Sequence, residues 1–307
     1  MRRILTFVVI IFCVITLLVI GIFSFNAHNN NKAQYKKPDK DLLSNQGDFH
    51  WPEGKRAAIS LSFDDARPSH LDRGLAILDR YGVKATFYVT IPGLKARLAD
   101  WQKALATGHE IGNHSLTHPC TTNYTFYNLT HRNGLEDYTL EMMQRELDEA
   151  NATIAYLLGV RPTTFAYPCG QKFVGRGLLV KSYVPLVAER FIVGRGYLDE
   201  SSNDPVFCDL SQVLGMTLDD LNFDQVKKLI DETVKKGKWL ILCGHEIGKP
   251  KYHSTSESTL EAILQYAQNP DNGIWIDTVH AVGRYVLQEQ IRIKKSKQTK
   301  SRASVKD

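Results

Sequence analysis

Three short segments of the chain carry side chains that can bind a metal ion or transfer a proton. The first is Ser62-Phe63-Asp64-Asp65, in which two adjacent carboxylates follow an apolar run. Adjacent carboxylates repel each other, and a bound cation relieves that repulsion while one of the two acts as a general base. Taken alone, an Asp-Asp pair more often marks an exposed turn or a helix N-cap.

The second segment runs from Gly108 to His118 and reads GHEIGNHSLTH. His114 and His118 are four residues apart, so one helical turn would direct both imidazoles to the same side. Two histidines and a carboxylate form a three-ligand set with an open position, as in catalytic zinc sites. An isolated HxxxH spacing is a weak signal, because a surface pair has the same pattern. His109 and Glu110 are interpreted as structural.

The third segment is the apolar run Leu240–Cys243, which is followed by Gly244-His245-Glu246. A histidine at this point suits a general acid, because its pKa lies near neutrality and a neighbouring group can shift it. A single histidine after a strand is more often incidental.

The chain between these motifs alternates between short β-prone runs and helical patterns. Leu71, Leu75 and Leu78 recur at helical spacing, and Leu140 to Leu158 predicts a long amphipathic helix. This alternation predicts a parallel sheet, and the expected fold is α/β, a distorted (β/α) barrel with about seven parallel strands. The candidate strands are Ala57–Phe63, Lys84–Val89, Glu110–Asn113, Thr164–Tyr167, Phe191–Gly194, Trp239–Cys243 and Ile274–Ile276.

The residues suited to chemistry share one position relative to these strands. Directly after a predicted strand come Asp64, Asp65, His114, Pro168 and His245. In (β/α) barrels the active site is built at the carboxyl ends of the strands. Three weak motifs on one face therefore predict one active site, since chance would have to place all of them there.

These residues also resemble a known family. The segments Ser60–Asp65, Tyr81–Val89 and Gly108–His118 are similar to the NodB-homology polysaccharide deacetylases, carbohydrate esterase family four. The resemblance covers Lys55 to Leu287 and is most specific in its first half. It implies a distorted (β/α) barrel with a divalent metal, usually zinc, and an acetylated polysaccharide or oligosaccharide as the substrate.

The resemblance implies a role for each matching residue. Asp64 resembles the catalytic base and His245 the catalytic acid, and the metal ligands would be Asp65, His114 and His118. The expected reaction is metal-assisted hydrolysis, in which Asp64 takes a proton from water and His245 protonates the leaving amine or alkoxide. A backbone N–H between Tyr167 and Gly170 would help to hold the oxyanion.

Two departures from the family pattern concern the substrate-binding half. The third motif of the family has an arginine two residues before its proline, whereas here Ala166 stands two residues before Pro168. That arginine orients the base, so Arg195, after the predicted strand Phe191–Gly194, is the expected catalytic substitute. A surface arginine is the competing interpretation. The family's Asp-rich fourth motif, which ends in tryptophan, is not recognisable.

The N-terminal residues predict a membrane segment. Arg2 and Arg3 precede an uncharged apolar run from Ile4 to Phe25, which is long enough to span a bilayer as a helix. The two arginines favour a cytoplasmic N-terminus, so the rest of the chain is expected outside the cytoplasm. An uncleaved anchor is preferred, because Phe25 fits a small-residue cleavage site at Ala27 poorly; cleavage would make the protein secreted.

The expected domains follow from these patterns. Residues 1–25 form the anchor or signal, residues 26–48 a polar linker, residues 49–290 the NodB-homology domain and residues 291–307 a basic disordered tail. The net charge of +5 is mild, and nothing argues for nucleic acid. The expected partners are the acetylated glycan and, through the N-terminal helix, the membrane. No obligate protein partner is evident.

The cysteines leave their pairing open. Cys13 lies in the predicted anchor, and the other four cysteines allow three connectivities in an oxidising compartment. Cys120 and Cys169 lie in loops at the predicted active-site face, so they could form a bridge if their Cα atoms are ~4.4–6.8 Å apart. Free, partly buried thiols are the favoured alternative, and Cys243 is expected to face the core.

Together with the resemblance, the sequence predicts a metal-dependent polysaccharide deacetylase, with zinc as the expected ion, that removes N- or O-acetyl groups outside the cytoplasm. Two alternatives stay open. One is a catalytically idle carbohydrate-binding protein on the same barrel, which the missing third-motif arginine supports. The other is a zinc-dependent amidase that acts on a non-sugar acyl substrate. The glycan itself, whether peptidoglycan, a chitin-like oligomer, exopolysaccharide or acetylated xylan, is not specified by the sequence.

Overall fold

The structure, a computed structural model, describes residues 49–128, 133–249 and 252–304. The predicted anchor Ile4–Phe25, the predicted linker at residues 26–48 and Cys13 lie outside these ranges. Within them, no helix is both long enough and apolar enough to cross a bilayer.

The secondary structure of these ranges alternates between strands and helices, as the sequence predicts. The strands are β1 (Ala57–Asp64), β2 (Thr86–Val89), β3 (Glu110–Asn113), β4 (Thr164–Ala166), β5 (Phe173–Val174), β6 (Lys181–Ser182), β7 (Val193–Arg195), β8 (Met216–Thr217), β9 (Trp239–Gly244), β10 (Glu246–Gly248), β11 (Ser254–Ser256) and β12 (Ile274–Ile276). The α-helices are α1 (Leu75–Arg80), α2 (Ile91–Ala96), α3 (Leu98–Ala106), α4 (Thr125–Asn128), α5 (Leu140–Leu158), α6 (Val184–Ala188), α7 (Phe223–Lys236), α8 (Glu257–Gln268) and α9 (Val279–Ser304).

A curled parallel sheet forms the centre of this domain. Its strands follow the order β7-β4-β3-β2-β1-β9-β8, and β12 pairs with the beginning of β1. At the end of β7, Arg195 bridges in parallel to Val213, in the segment that leads to β8. The two edges of the sheet therefore approach each other. The predicted parallel (β/α) fold is confirmed, and each of the seven predicted strands is present within about two residues of its predicted bounds.

The alternation of side chains along β1 determines the direction of the Asp64 side chain at its end. Ile59, Leu61 and Phe63 belong to the large core cluster that includes the surrounding helices. Ala58 belongs instead to the cluster that holds Val193 of β7. Because successive strand residues point to opposite faces, Asp64 shares the face of Ala58 and is directed toward β7.

Two sequence predictions are corrected by the fold. Strand β8 is absent from the predicted set, because a pairing of two residues leaves no periodic pattern to detect. The predicted disordered tail at residues 291–307 is wrong as far as Ser304, since α9 continues through it. Its lysines, arginines and glutamines are good helix formers, and Ile293 is buried, which extends the packed part of the helix beyond residue 290.

A disulfide joins Cys120 to Cys169, with Cα atoms 6.1 Å apart. The preference for free thiols is therefore wrong for this pair, whereas Cys208 and the buried Cys243 are free cysteines. The bridge connects the loop after β3 with the turn after β4, so two separate segments of the predicted active-site face are covalently linked.

Candidate active site

All six predicted site residues lie at the carboxyl ends of four strands of the curled sheet. Asp64 and Arg195 are the last residues of β1 and β7, and the other four follow β1, β3 and β9. A cleft of about 520 Å³ opens over them, and its lining includes Asp64, Asp65, His114, His118 and His245. The sequence prediction that these motifs share one face is confirmed.

Asp64 and Arg195 form a buried ion pair. Both side chains are almost fully shielded from solvent, with exposures of 4% and 0%. One Nη atom of Arg195 donates to Asp64 Oδ1 and the other donates to the carbonyl of Gly196 at 3.0 Å. The guanidinium also lies over the ring of Tyr88, 4.8 Å from its centroid. The interpretation of Arg195 as a surface residue is wrong. The family's arginine is replaced by Ala166 in this chain, and Arg195 of the paired strand β7 contacts Asp64 in its place.

The ionisation of Asp64 follows from this pairing. Burial alone would raise its pKa, but the positive charge of Arg195, followed by His114 and His245, outweighs burial and holds the pKa below its usual value. The pKa of Arg195 is raised in turn: burial opposes its charge, and Asp64 more than compensates. Asp64 is therefore an ionised carboxylate, as a general base requires.

The backbone directly after β1 turns sharply. Asp65 and Ala66 have φ angles of 75° and 54°, which non-glycine residues rarely adopt. The Thr90 hydroxyl holds the turn by donating to the Asp65 carbonyl at 3.1 Å. Arg67 donates to Asp65 Oδ2 at 2.8 Å, so the other carboxylate oxygen of Asp65 remains available to the cleft.

The two predicted metal-ligating histidines lie on a loop, and the predicted helical turn over them is wrong. Ser115 and His118 have φ angles of 63° and 57°. Asn113 Oδ1 accepts from the N–H of Ser115 at 2.6 Å, and Ser115 Oγ accepts from the N–H of His118 at 2.9 Å. These local bonds replace helical ones and still bring the two rings within 4.7 Å of each other, centroid to centroid.

Glu146, from α5, fixes the middle of the same loop. This nearly buried carboxylate accepts from the N–H groups of Leu116 and Thr117 at 3.0 and 2.8 Å. A charged acceptor that binds two adjacent N–H groups holds this part of the loop in place. Sequence reasoning missed Glu146, because it is one of several acidic residues on an amphipathic helix.

The side chains of Asp65, His114 and His118 fit a divalent cation. Oδ1 of Asp65 lies 3.6 Å from Nε2 of His114 and 3.5 Å from Nε2 of His118. His114 Nδ1 is engaged with the carbonyl of Ala166 at 2.9 Å, an arrangement that leaves Nε2 to act as the ligand. Burial, reinforced by the nearby His114, lowers the pKa of His118 to about 4, so its imidazole is neutral at pH 7, as metal ligation requires. Two imidazoles and a carboxylate suit zinc and its neighbours in the first transition row.

The third part of the site is His245, which is paired with Asp219. The Nδ1 atom of His245 lies 2.6 Å from Asp219 Oδ2, and its backbone N–H donates to Asp219 Oδ1 at 3.0 Å. Thr255 donates to the same oxygen at 3.1 Å. Burial lowers the pKa of His245, but the hydrogen bond to Asp219 and the charges of Asp64 and Asp219 outweigh burial and raise it. Sequence reasoning missed Asp219; its only signal is an acidic pair, Asp219-Asp220, after a short apolar run.

The turn after β4 offers one backbone donor to the cleft. Pro168 has no N–H, and the N–H groups of Tyr167 and Gly170 donate to the carbonyls of Arg195 and Tyr167 at 2.9 Å each. Cys169 adopts a φ of 54° and lines the cleft. Of the N–H groups in this turn, that of Cys169 is the one available to bind a ligand.

Aromatic side chains border the cleft on the solvent side. The lining includes Tyr124, Phe126, Tyr197 and Tyr252. Phe126 is 58% exposed and Tyr252 is 80% exposed. Exposed rings of this size, beside polar groups, are typical of ligand-binding surfaces.

Part of the sequence matches a known protein family. Residues 52–176 match the family described as polysaccharide deacetylase. The uncharacterized protein YlxY of Bacillus subtilis (strain 168) is 32% identical over 101 residues, which are 33% of this chain and 27% of that protein. The peptidoglycan-N-acetylmuramic acid deacetylase PdaC of the same strain is 27% identical over 145 residues, which are 47% of this chain and 28% of that protein. The chain thus spans well under two thirds of these relatives.

Solved structures show the same fold. A putative polysaccharide deacetylase from Mycobacterium smegmatis aligns with a TM-score of 0.57 and 16% identity, covering 79% of this chain and 94% of that one. A probable polysaccharide deacetylase from Pseudomonas aeruginosa PAO1 aligns with a TM-score of 0.56 and 17% identity, covering 76% and 92%. Residues 52–176 therefore resemble the polysaccharide deacetylase family in sequence, and the described domain shares its fold with these solved structures.

Proposed function

We propose that this protein removes acetyl groups from a polysaccharide by metal-assisted hydrolysis. The observation that carries the proposal is the convergence, on one cleft, of a buried carboxylate, a three-ligand set and a histidine paired with an acid. The pKa shifts of the two titrating groups favour the reaction. Asp64 is ionised and can accept a proton, and His245 has a raised pKa and can donate one.

The chain's own residues account for both proton transfers. As water adds to the acetyl carbonyl carbon, Asp64 accepts the proton that the water loses, and Arg195 keeps that carboxylate oriented. His245 then protonates the leaving nitrogen or oxygen as its bond to the acetyl carbon breaks. The products are acetate and a free amine or hydroxyl group on the sugar. Asp219 holds His245 in position throughout and stabilises its charged form.

The remaining groups stabilise the charge that develops on the acetyl oxygen. We infer that the N–H of Cys169 donates to this oxygen, because it is the available donor of its turn. A divalent ion held by Asp65, His114 and His118, which by donor chemistry would be zinc, would polarise the carbonyl and make water a stronger nucleophile.

The walls of the cleft support a carbohydrate substrate. Phe126 and Tyr252 present exposed rings, and aromatic faces pack well against the apolar faces of sugar rings. We further propose that the domain works outside the cytoplasm, held by Ile4–Phe25, as the arginine-flanked apolar run indicates.

The alternative of an idle carbohydrate-binding protein loses its main support. That hypothesis rested on the missing third-motif arginine. Arg195 donates a hydrogen bond to Asp64, so the carboxylate does have an arginine partner. An amidase that acts on a non-sugar acyl group uses the same chemistry, so the choice between it and a deacetylase depends on the substrate.

A substrate panel tests the proposal. Purified protein loaded with zinc is incubated with N- and O-acetylated glycans and with acetylated non-sugar amines, and acetate is measured. We expect release from at least one glycan, and Asp64→Asn should lower kcat by about 10²–10⁴-fold. Asp224→Asn, at an exposed position on α7, is the matched control and should retain the rate. Release only from non-sugar amines would reject the deacetylase, and full activity of Asp64→Asn would reject the base.

A further inference from the structure

A second cluster of metal-binding side chains lies at the same cleft and is separate from the first. One ligand atom from each of Asp219, His245 and His253 lies within 4.8 Å of the other two. None of these residues belongs to the Asp65, His114 and His118 set. The cluster has the same composition, two imidazoles and one carboxylate, which is suited to zinc, nickel or copper.

Strand pairing brings the two histidines of this cluster together. Strands β10 and β11 are parallel, and their first paired residues are Glu246 and Ser254. His245 and His253 each precede those residues directly, so the ladder sets them side by side. Their ring centroids are 5.3 Å apart.

The backbone of His253 is held in a conformation that non-glycine residues seldom adopt. Its φ is 55°, its N–H donates to Asp220 Oδ2 at 3.2 Å, and its carbonyl accepts from the N–H of Glu246 at 3.1 Å. Asp220 also donates its N–H to the carbonyl of Ser254. The segment that carries Asp219 is therefore hydrogen-bonded to the segment that carries His253.

Both imidazoles are accessible to an ion in solution. His245 and His253 line the cleft, and each is partly exposed, whereas Asp219 is buried beneath them. A cation could therefore reach the imidazoles of His245 and His253 from the solvent and bind the Asp219 carboxylate below them.

We propose that Asp219, His245 and His253 form a second, inhibitory site for a divalent cation. The ion must displace the proton that His245 shares with Asp219, so it binds more weakly than the ion at the first site. Once bound, it occupies the histidine that donates the proton to the leaving group, and turnover stops. The inhibitory effect rests on the proposed function; the binding of the ion does not.

Zinc stoichiometry tests the binding directly. The full-length protein and its variants are dialysed against increasing free zinc, and bound zinc is counted by mass spectrometry. We expect one ion per chain at low zinc and two at saturation. His253→Gln should stop at one, His118→Ala should keep only the weaker ion, and His50→Gln, at an exposed position, should behave like the unmodified protein.

Acetate release measured over the same zinc series tests the inhibition. The unmodified protein should lose about 10²-fold or more of its maximal rate as the second ion binds, whereas His253→Gln should keep its own maximal rate. A single bound ion at saturation, or a second ion that persists in His253→Gln, would overturn the site. Two ions without inhibition would overturn its effect on turnover. If no substrate released acetate, the proposed function would fail while the stoichiometry still decided the site.

Discussion

Arg195→Met removes the charge that neutralises Asp64 and leaves a side chain of similar length. The pair is fully buried, and removing one partner of a buried ion pair costs about 3–5 kcal/mol, since the other charge is left uncompensated. The bond to the Gly196 carbonyl and the contact with Tyr88 are lost as well. We therefore expect the free energy of unfolding to fall by at least about 3 kcal/mol, measured by urea denaturation at pH 7.

A double-mutant cycle separates the charge effect from lost packing. Adding Asp64→Asn to Arg195→Met removes the orphaned charge, so the double variant should be more stable than Arg195→Met alone by about 2 kcal/mol or more. The control is Arg176→Met, which breaks a pair with Asp137 in which the side chains are 64% and 46% exposed, and should cost at most about 1 kcal/mol. If Arg195→Met cost no more than this control, or if the two changes were additive, the reasoning would be refuted.

The same pair gives a pH dependence with a defined sign. The folded-state pKa of Asp64 is lowered below its unfolded value, so the pair contributes its full stability above about pH 3.9, the unfolded pKa of an aspartate. That contribution is lost as the pH falls through the lower, folded value. Arg195→Met should be less sensitive to acid over this range, and unfolding curves collected from pH 7 downward measure the difference.

Four further predictions concern the metal, the acid and the topology. His118→Ala should lower zinc content and acetate release together; full activity in verified metal-free protein would contradict the ligand assignment. Asp219→Asn removes the charge that raises the pKa of His245, so the alkaline limb of the kcat/KM profile should move to lower pH, and an unmoved limb would rule out this pairing. His245→Ala should lower kcat/KM by about 10²–10⁴-fold with zinc at the first site retained; loss of that zinc would make His245 a ligand. A reporter joined after Asp307 should be active outside the cytoplasm, and activity only inside it would refute the topology.

The fold was largely predictable because its signals are local. The run Ala57–Asp64 is buried on both faces, as expected for a strand that lies between helices and the barrel interior, and it lies where the sequence predicts a strand. Strand β8 was not predictable, since it exists through its pairing with β9 and not through a pattern of its own. The disordered tail was a wrong prediction, because basic composition alone does not reveal the buried contact of Ile293.

The site was predictable where the chemistry lies in short motifs. Asp64, Asp65, His114 and His118 are adjacent or closely spaced, so residue type and spacing were sufficient. The helical turn over the histidines was wrong, because left-handed residues and side-chain hydrogen bonds are not visible in spacing. Asp219 was missed because its partner His245 is 26 residues away, and long-range hydrogen bonds leave no periodic trace.

The disulfide between Cys120 and Cys169 gives the domain a dependence on its redox surroundings. It closes a loop with a sequence separation of 49 residues, and constraining a loop of that length in the unfolded chain is worth about 4 kcal/mol. This is a large share of the ~5–15 kcal/mol by which single domains are stable. Reduction would therefore shift the folding equilibrium and, in the same step, release the loop of His118 from the turn of Cys169. A thiol reductant in a purification buffer would therefore lower the free energy of unfolding of this protein, even if the reductant did not remove its metal.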